Sequence, residues 1–216
     1  MPMSAICAPG GAAPAAPRGG FSTFDYNQAA HPALALIGPA PAGAPNGLCL
    51  ALTMLWLKNW RDERHPYNQY IRNGGAGNPH LLNYMVAIFG GMGGPAAWAA
   101  QTETFMTMPV AAGGLGFNTV NGGLAVGPRW LGIVQDLRQL LATARFSILV
   151  VANAAGGTHA VGIVRSNRSV YFFDCNQGEV FLRDSDDFVD WFRAYKNPGF
   201  GYGGVAGPQI WNFRYN

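Results

Sequence analysis

A cysteine, a histidine and an acid in that chain order can supply a nucleophile, a base and a carboxylate that orients the base. Cys49, His159 and Asp174 stand in this order. Cys49 falls in the first turn of an expected helix, directly after the Gly/Pro-rich approach Gly38–Pro45. The unpaired N–H groups and the positive dipole end of a helix start favour a thiolate. The thiolate is the nucleophilic form, and a helix N-terminus or an adjacent histidine can bring a cysteine pKa down to about 3.5–7.5. The competing reading is packing, because cysteine is among the most buried residue types and Leu48-Cys49-Leu50 has a core composition.

His159 follows the small residues Gly156-Gly157-Thr158, which let backbone or substrate come close. An imidazole there can act as a general base; the alternative is a histidine at a sheet edge with no chemical role. Arg165–Ser169 reads as a hairpin turn centred near Asn167. Pairing across it with i + j of about 333–335 sets His159 opposite Asp174 or within one residue of it, close enough for the carboxylate to accept the Nδ1 proton and fix the tautomer. Asp174 alternatively opens a turn with Asn176, Gln177 and Gly178.

These three residues need a helix and a sheet to hold them. From Leu48 to Trp60 there is neither Gly nor Pro, and Leu48, Leu52, Leu55 and Trp56 recur at helical spacing. A helix is expected over 47–61, with Asn46 as its N-cap. Asn78-Pro79 starts a second helix over 79–89. A third is expected over 95–106 and a fourth from Pro128 to Arg145. The Gly-rich stretch 111–127 reads as loops with at most a short strand. Beyond Arg145 the period becomes that of strands: Phe146–Asn153, Thr158–Arg165, Ser169–Cys175 and Glu179–Arg183, then a helix over 186–196 capped at Asp184-Ser185 and a closing strand over Gln209–Phe213. Helices first and a mostly antiparallel sheet second give the α+β class.

Composition narrows the field. The 216 residues suit a single domain over 21–216, preceded by a tail over 1–20 whose six Ala, four Pro and four Gly bury too little to offset ordering entropy. Basic residues number 14 against 11 acidic; only Lys58 and Lys196 are lysines, and no basic run argues for nucleic acid. No apolar stretch is long enough for a membrane helix, and the N-terminus lacks the basic start and apolar run of a Sec signal. Cys7, Cys49 and Cys175 cannot all pair within one chain, which counts against a disulfide scaffold. His31, His65 and His80 form no metal-ligand spacing, so neither a metal nor another cofactor is expected.

The segment Asn46–Leu57, the run His159-Ala160-Val161-Gly162-Ile163 and the run Tyr171–Glu179 resemble the three catalytic blocks of the YopT/AvrPphB-type cysteine proteases. The helix carrying Phe188, Trp191, Phe192 and Tyr195 also fits, so the resemblance spans 46–196. It implies a papain-like fold, in which a helical half carrying the nucleophile packs on a mostly antiparallel sheet half. It also implies a Cys49–His159–Asp174 triad, no cofactor and a host protein substrate. A bacterial effector would leave the cell without a Sec signal, by type III or another route, reach the host cytosol, and have a secretion chaperone as a candidate partner. Cys175 departs from the family, which usually has Pro there; strand alternation turns it away from Asp174, so it reads as core or edge packing. No Gln stands in the few residues before Cys49, leaving Asn46 as the oxyanion candidate in competition with its capping role. No Gly-Cys pair is present for lipidation after self-cleavage. The same triad also serves a deamidase, transglutaminase or acyltransferase, since the acceptor decides the product. A third reading is a catalytically silent binding module, favoured by a buried, unreactive Cys49.

Overall fold

A computed structural model describes residues 20–24, 49–62, 95–127, 130–152, 158–200 and 209–216. The tail over 1–19, the helix expected over 79–89, Asn46, Cys7, His31, His65 and His80 lie outside the described residues.

The chain order is β1 (Phe21–Phe24), α1 (Cys49–Arg61), α2 (Pro95–Thr107), β2 (Thr119–Gly127), α3 (Trp130–Thr143), β3 (Phe146–Ala152), β4 (Thr158–Ser166), β5 (Ser169–Asp174), β6 (Gly178–Leu182), α4 (Ser185–Phe200) and β7 (Gln209–Tyr215). The seven strands form one sheet in the order β1-β6-β5-β4-β3-β7-β2, and every neighbouring pair is antiparallel. The expected α+β architecture is present. Two features differ from the sequence reading. The stretch 111–127 ends in the nine-residue strand β2, because β7 supplies the ladder partners that a glycine-rich segment lacks on its own. β7, last in the chain, inserts between β3 and β2. With β2 at the far edge, three places from β4, it does not border the site.

Strand alternation divides the core between the two faces of the sheet. On one face Ala160 and Val164 of β4 and Phe173 of β5 join the cluster built around α1. On the other, Val161 and Ile163 of β4 and Phe172 of β5 join Leu137, Leu140 and Leu141 of α3 and the aromatic face of α4. Asp184 caps α4, its Oδ1 accepting the backbone N–H of Asp186 at 3.0 Å and of Asp187 at 2.9 Å.

α1 is buried almost all round, with every residue from Cys49 to Asn59 shielded from solvent. Such a helix has to be walled on all sides. Its charged end is neutralised locally: Lys58 and Arg61 both pair with Asp62. Its middle sits tightly on β4. A Cβ added at Gly162 would come within 2.7 Å of the Trp56 ring and 3.1 Å of Thr53 Cγ2, so only glycine admits the helix at this distance. Trp56 stacks on Phe173 with centroids 5.4 Å apart. Its indole N–H donates to Glu179 Oε2 at 2.6 Å, while Thr23 Oγ1 donates to Oε1 at 2.7 Å. Glu179 is itself wholly buried, and one acid thereby ties β1, β6 and α1 together.

Gly162→Val should overpack this contact and cost about 1–3 kcal/mol of stability, read as a lower urea midpoint with an unchanged slope. An unaltered midpoint would mean that the helix does not sit so close to β4.

Candidate active site

The first residue of α1, the beginning of β4 and the end of β5 meet at one end of the sheet. His159 is the second residue of β4 and Asp174 the last of β5. The hairpin between them turns at Asn167, the one described non-glycine residue with positive φ (56°), and Ser166 pairs with Ser169. Its register sets Asp174 opposite Val161. The pairing sum of 335 sets His159 two residues along from the position opposite Asp174, one more than the sequence reading expected. A diagonal neighbour on the same face is still within reach of a long side chain. His159 Nε2 lies 3.0 Å from Asp174 Oδ1. The carboxylate thus takes Nε2 where the sequence reading assigned it Nδ1.

Asp174 is held from three further directions. Its Oδ1 also accepts the backbone N–H of Asn176 at 2.8 Å, and its Oδ2 accepts the Tyr195 hydroxyl proton. The backbone carbonyl accepts the N–H of Gln177 at 2.9 Å. Tyr195 projects from α4 within an aromatic cluster, stacked on Trp191 with centroids 4.7 Å apart and edge-on to Phe172 at 4.8 Å. The sequence reading assigned Tyr195 to a buried helix face only. The usable signal was the hydroxyl at the end of an otherwise apolar stripe, since a buried Tyr O–H normally requires a partner.

Cys49 has no solvent exposure. Its sulfur is hydrogen-bonded by the Cys175 thiol, by His159 and by the backbone N–H of Ala160. Together these donors outweigh the cost of burial and hold the thiol well below its usual range, with Cys175 the largest contributor and His159 adding its charge. Burial pushes His159 down, but the charge and hydrogen bond of Asp174, followed by Cys49, carry it up to about 10. The two shifts together favour the thiolate–imidazolium form of the pair. Tyr195 is raised well above its ordinary value, by burial first and then by the facing Asp174. It stays protonated as a donor.

Cys175 is buried in the core, as its strand position implied, and it gains a neighbour the sequence did not reveal. Alternation does turn it away from Asp174, into the cluster on the α1 face. That face carries Cys49, however, so the residue read as core or edge packing meets the thiol directly. The ligand atoms of His159, Asp174 and Cys175 also lie within 4.8 Å of one another, a set of donors able to hold a metal ion. Asn46, the oxyanion candidate, lies outside the described residues.

Two outcomes follow from this geometry. The rate of Cys49 alkylation by iodoacetamide should hold constant from neutral pH down to well below the ordinary thiol range, and His159→Ala should move its midpoint back towards about 8.5; a wild-type midpoint already there would refute the ion pair. Tyr195→Phe should lose about 1.5–3 kcal/mol in urea unfolding, the worth of a hydrogen bond to a charged group. No loss would mean that Asp174 is held without it.

Against known proteins, the peptidase C58 family, described as Yersinia/Haemophilus virulence surface antigen, matches residues 132–195. That span contains His159, Asp174, Cys175 and Tyr195 but not Cys49. No curated protein gives a match. Among solved structures the fold is similar to the Pseudomonas avirulence protein AvrPphB, at TM-score 0.56 and 16 % identity, over 85 % of this chain and 99 % of that one. A looser likeness, at TM-score 0.36 and 13 % identity, is to PatoxP, a cysteine protease-like domain of the Photorhabdus asymbiotica toxin PaTox; it covers 88 % of this chain and 54 % of that one. The AvrPphB likeness shows a shared fold of helices packed on an antiparallel sheet, and the C58 match falls on α3, strands β3 to β6 and most of α4.

Proposed function

We propose that the protein is an endopeptidase that cuts a host protein through Cys49, His159 and Asp174. The observation that carries this reading is the meeting at one place of Asp174, whose Oδ1 lies 3.0 Å from His159 Nε2, of His159 itself, and of the Cys49 sulfur at the start of α1. The Cys49 thiolate attacks the scissile carbonyl: a C–S bond forms, the C=O π pair moves onto oxygen to give a tetrahedral oxyanion, and its collapse breaks the C–N bond and leaves an acyl-enzyme. The backbone N–H of Cys49, free at a helix start, is one donor to that oxyanion. Asn46 is the proposed second. His159 protonates the leaving amine, then removes a proton from the water that releases the acyl group. Asp174 keeps the ring oriented and stabilises its protonated form.

The virulence description of the matched family and the avirulence title of AvrPphB favour an effector acting inside a host cell, with a secretion chaperone as a candidate partner. Among the described residues no helix is long and apolar enough to cross a membrane. A second reading, a silent binding module, has one observation on its side: Cys49 is wholly buried.

Cys49→Ala should abolish cleavage of host-cell proteins with the circular dichroism spectrum and urea midpoint retained, and His159→Ala should lower the rate about 10²–10⁴-fold. The wild-type rate should hold across neutral pH and fall near pH 10, where His159 loses the proton it must deliver. Wild-type turnover by Cys49→Ala would end this reading. A substrate captured intact, with no cut, amide loss or added group by mass spectrometry, would favour the binding module.

A further inference from the structure

Two cysteines outside any disulfide lie in the same buried cluster at the site, and the proposed peptidase chemistry uses one. Cys49 and Cys175 are both thiols and both buried, and the Cys175 thiol hydrogen-bonds the Cys49 sulfur. Each sits at an end of its element: Cys49 opens α1, and Cys175 starts the turn between β5 and β6. Neither sulfur is anchored in the middle of a helix or ladder, so a small backbone shift can bring the two to bonding distance. His159 completes the arrangement, with one ring nitrogen within 4.8 Å of the Cys175 sulfur. A proton carrier therefore adjoins both thiols. Burial restricts the oxidant to a small uncharged molecule, which points to hydrogen peroxide rather than a bulky disulfide.

We propose that Cys175 is the resolving thiol of a peroxide-sensitive switch: it condenses with oxidised Cys49 into an intrachain disulfide that silences the site reversibly. In the first step the Cys49 sulfur attacks peroxide. An S–O bond forms, the O–O bond breaks, and the departing hydroxide takes a proton from His159 to leave as water. Cys49 is now a sulfenic acid. In the second step the Cys175 sulfur attacks the Cys49 sulfur. The S–S bond forms, the S–O bond breaks, and the hydroxide leaves as water with the Cys175 proton, relayed through His159. Two thiols are oxidised and one peroxide is reduced to two waters. Without Cys175 the sulfenic acid has no thiol beside it and proceeds to sulfinic and sulfonic acids, which thiol reagents do not reverse. The silencing rests on the proposed role of Cys49 as nucleophile; the disulfide does not.

The test treats the full-length protein with hydrogen peroxide, blocks residual thiols and maps peptides without reduction. A peptide pair linked through Cys49 and Cys175 is expected, lighter by two hydrogens and separated by dithiothreitol. Peptidase activity should be lost in step with the linkage and regained almost fully on reduction. Cys175→Ser should instead give sulfinic acid at Cys49 and recover less than about a tenth of its own untreated activity. Sulfinic acid at Cys49 with Cys175 still free in the wild type overturns the proposal, and this map decides even if the variant fails to fold. A linked pair in a protein that had no peptidase activity before treatment upholds the disulfide and rejects the endopeptidase reading.

Discussion

The approach of α1 to β4 is the contact on which the site depends. A helix with almost every side chain buried has no solvent face to absorb error. Its height above the sheet is fixed where the Trp56 ring rests on the bare backbone of Gly162. Thr53 adds a hydrogen bond to the Ala160 carbonyl at 3.4 Å, and Trp56 reaches Glu179. With helix height and rotation set along its length, its first residue arrives at the Ala160 N–H and beside His159. A helix raised by one methyl group would withdraw Cys49 from both. Close packing far along the helix and proton transfer at its tip are thus one constraint, because protein interiors do not deform without cost.

Two buried acids bracket this arrangement, and their partners separate their roles. Glu179 is met by neutral donors, the indoles of Trp56 and Trp60 and the hydroxyl of Thr23. Burial raises its pKa, its donors oppose the rise, and it joins structural elements. Asp174 is met by a backbone N–H, a tyrosine hydroxyl and a titrating imidazole. Only the second set includes a group whose charge changes during a reaction. A buried charge is tolerated where it is fully hydrogen-bonded, and each acid meets that condition, one for the fold and one for chemistry.

The sheet also explains how a small domain brings distant residues together. His159 and Asp174 come from adjacent strands of one hairpin and are local neighbours. Cys49 joins them from more than a hundred residues away, on a helix that packs against the face opposite α4. The site therefore draws its nucleophile from one layer and the tyrosine that steadies its acid from the other. Cys175 and Asp174, adjacent in sequence, serve the two layers in turn.

The sequence by itself determined the elements and the chemical candidates. Unbroken helical spacing after Gly47 marked α1, the apolar period of two marked β3 to β6, and the short hairpin bounded the distance from His159 to Asp174, because these are local consequences of backbone geometry. Tertiary structure decided the rest. The hairpin register allowed three offsets, and the chain took the one that makes the pair diagonal and gives Asp174 the Nε2 nitrogen. The strand at 119–127 and the insertion of β7 beside β3 depend on partners remote in sequence. Alternation could say that Cys175 points away from Asp174, but not that α1 would cover that face with Cys49 at its end. Local rules fix which way a side chain turns, and only the packing of layers fixes what it meets there.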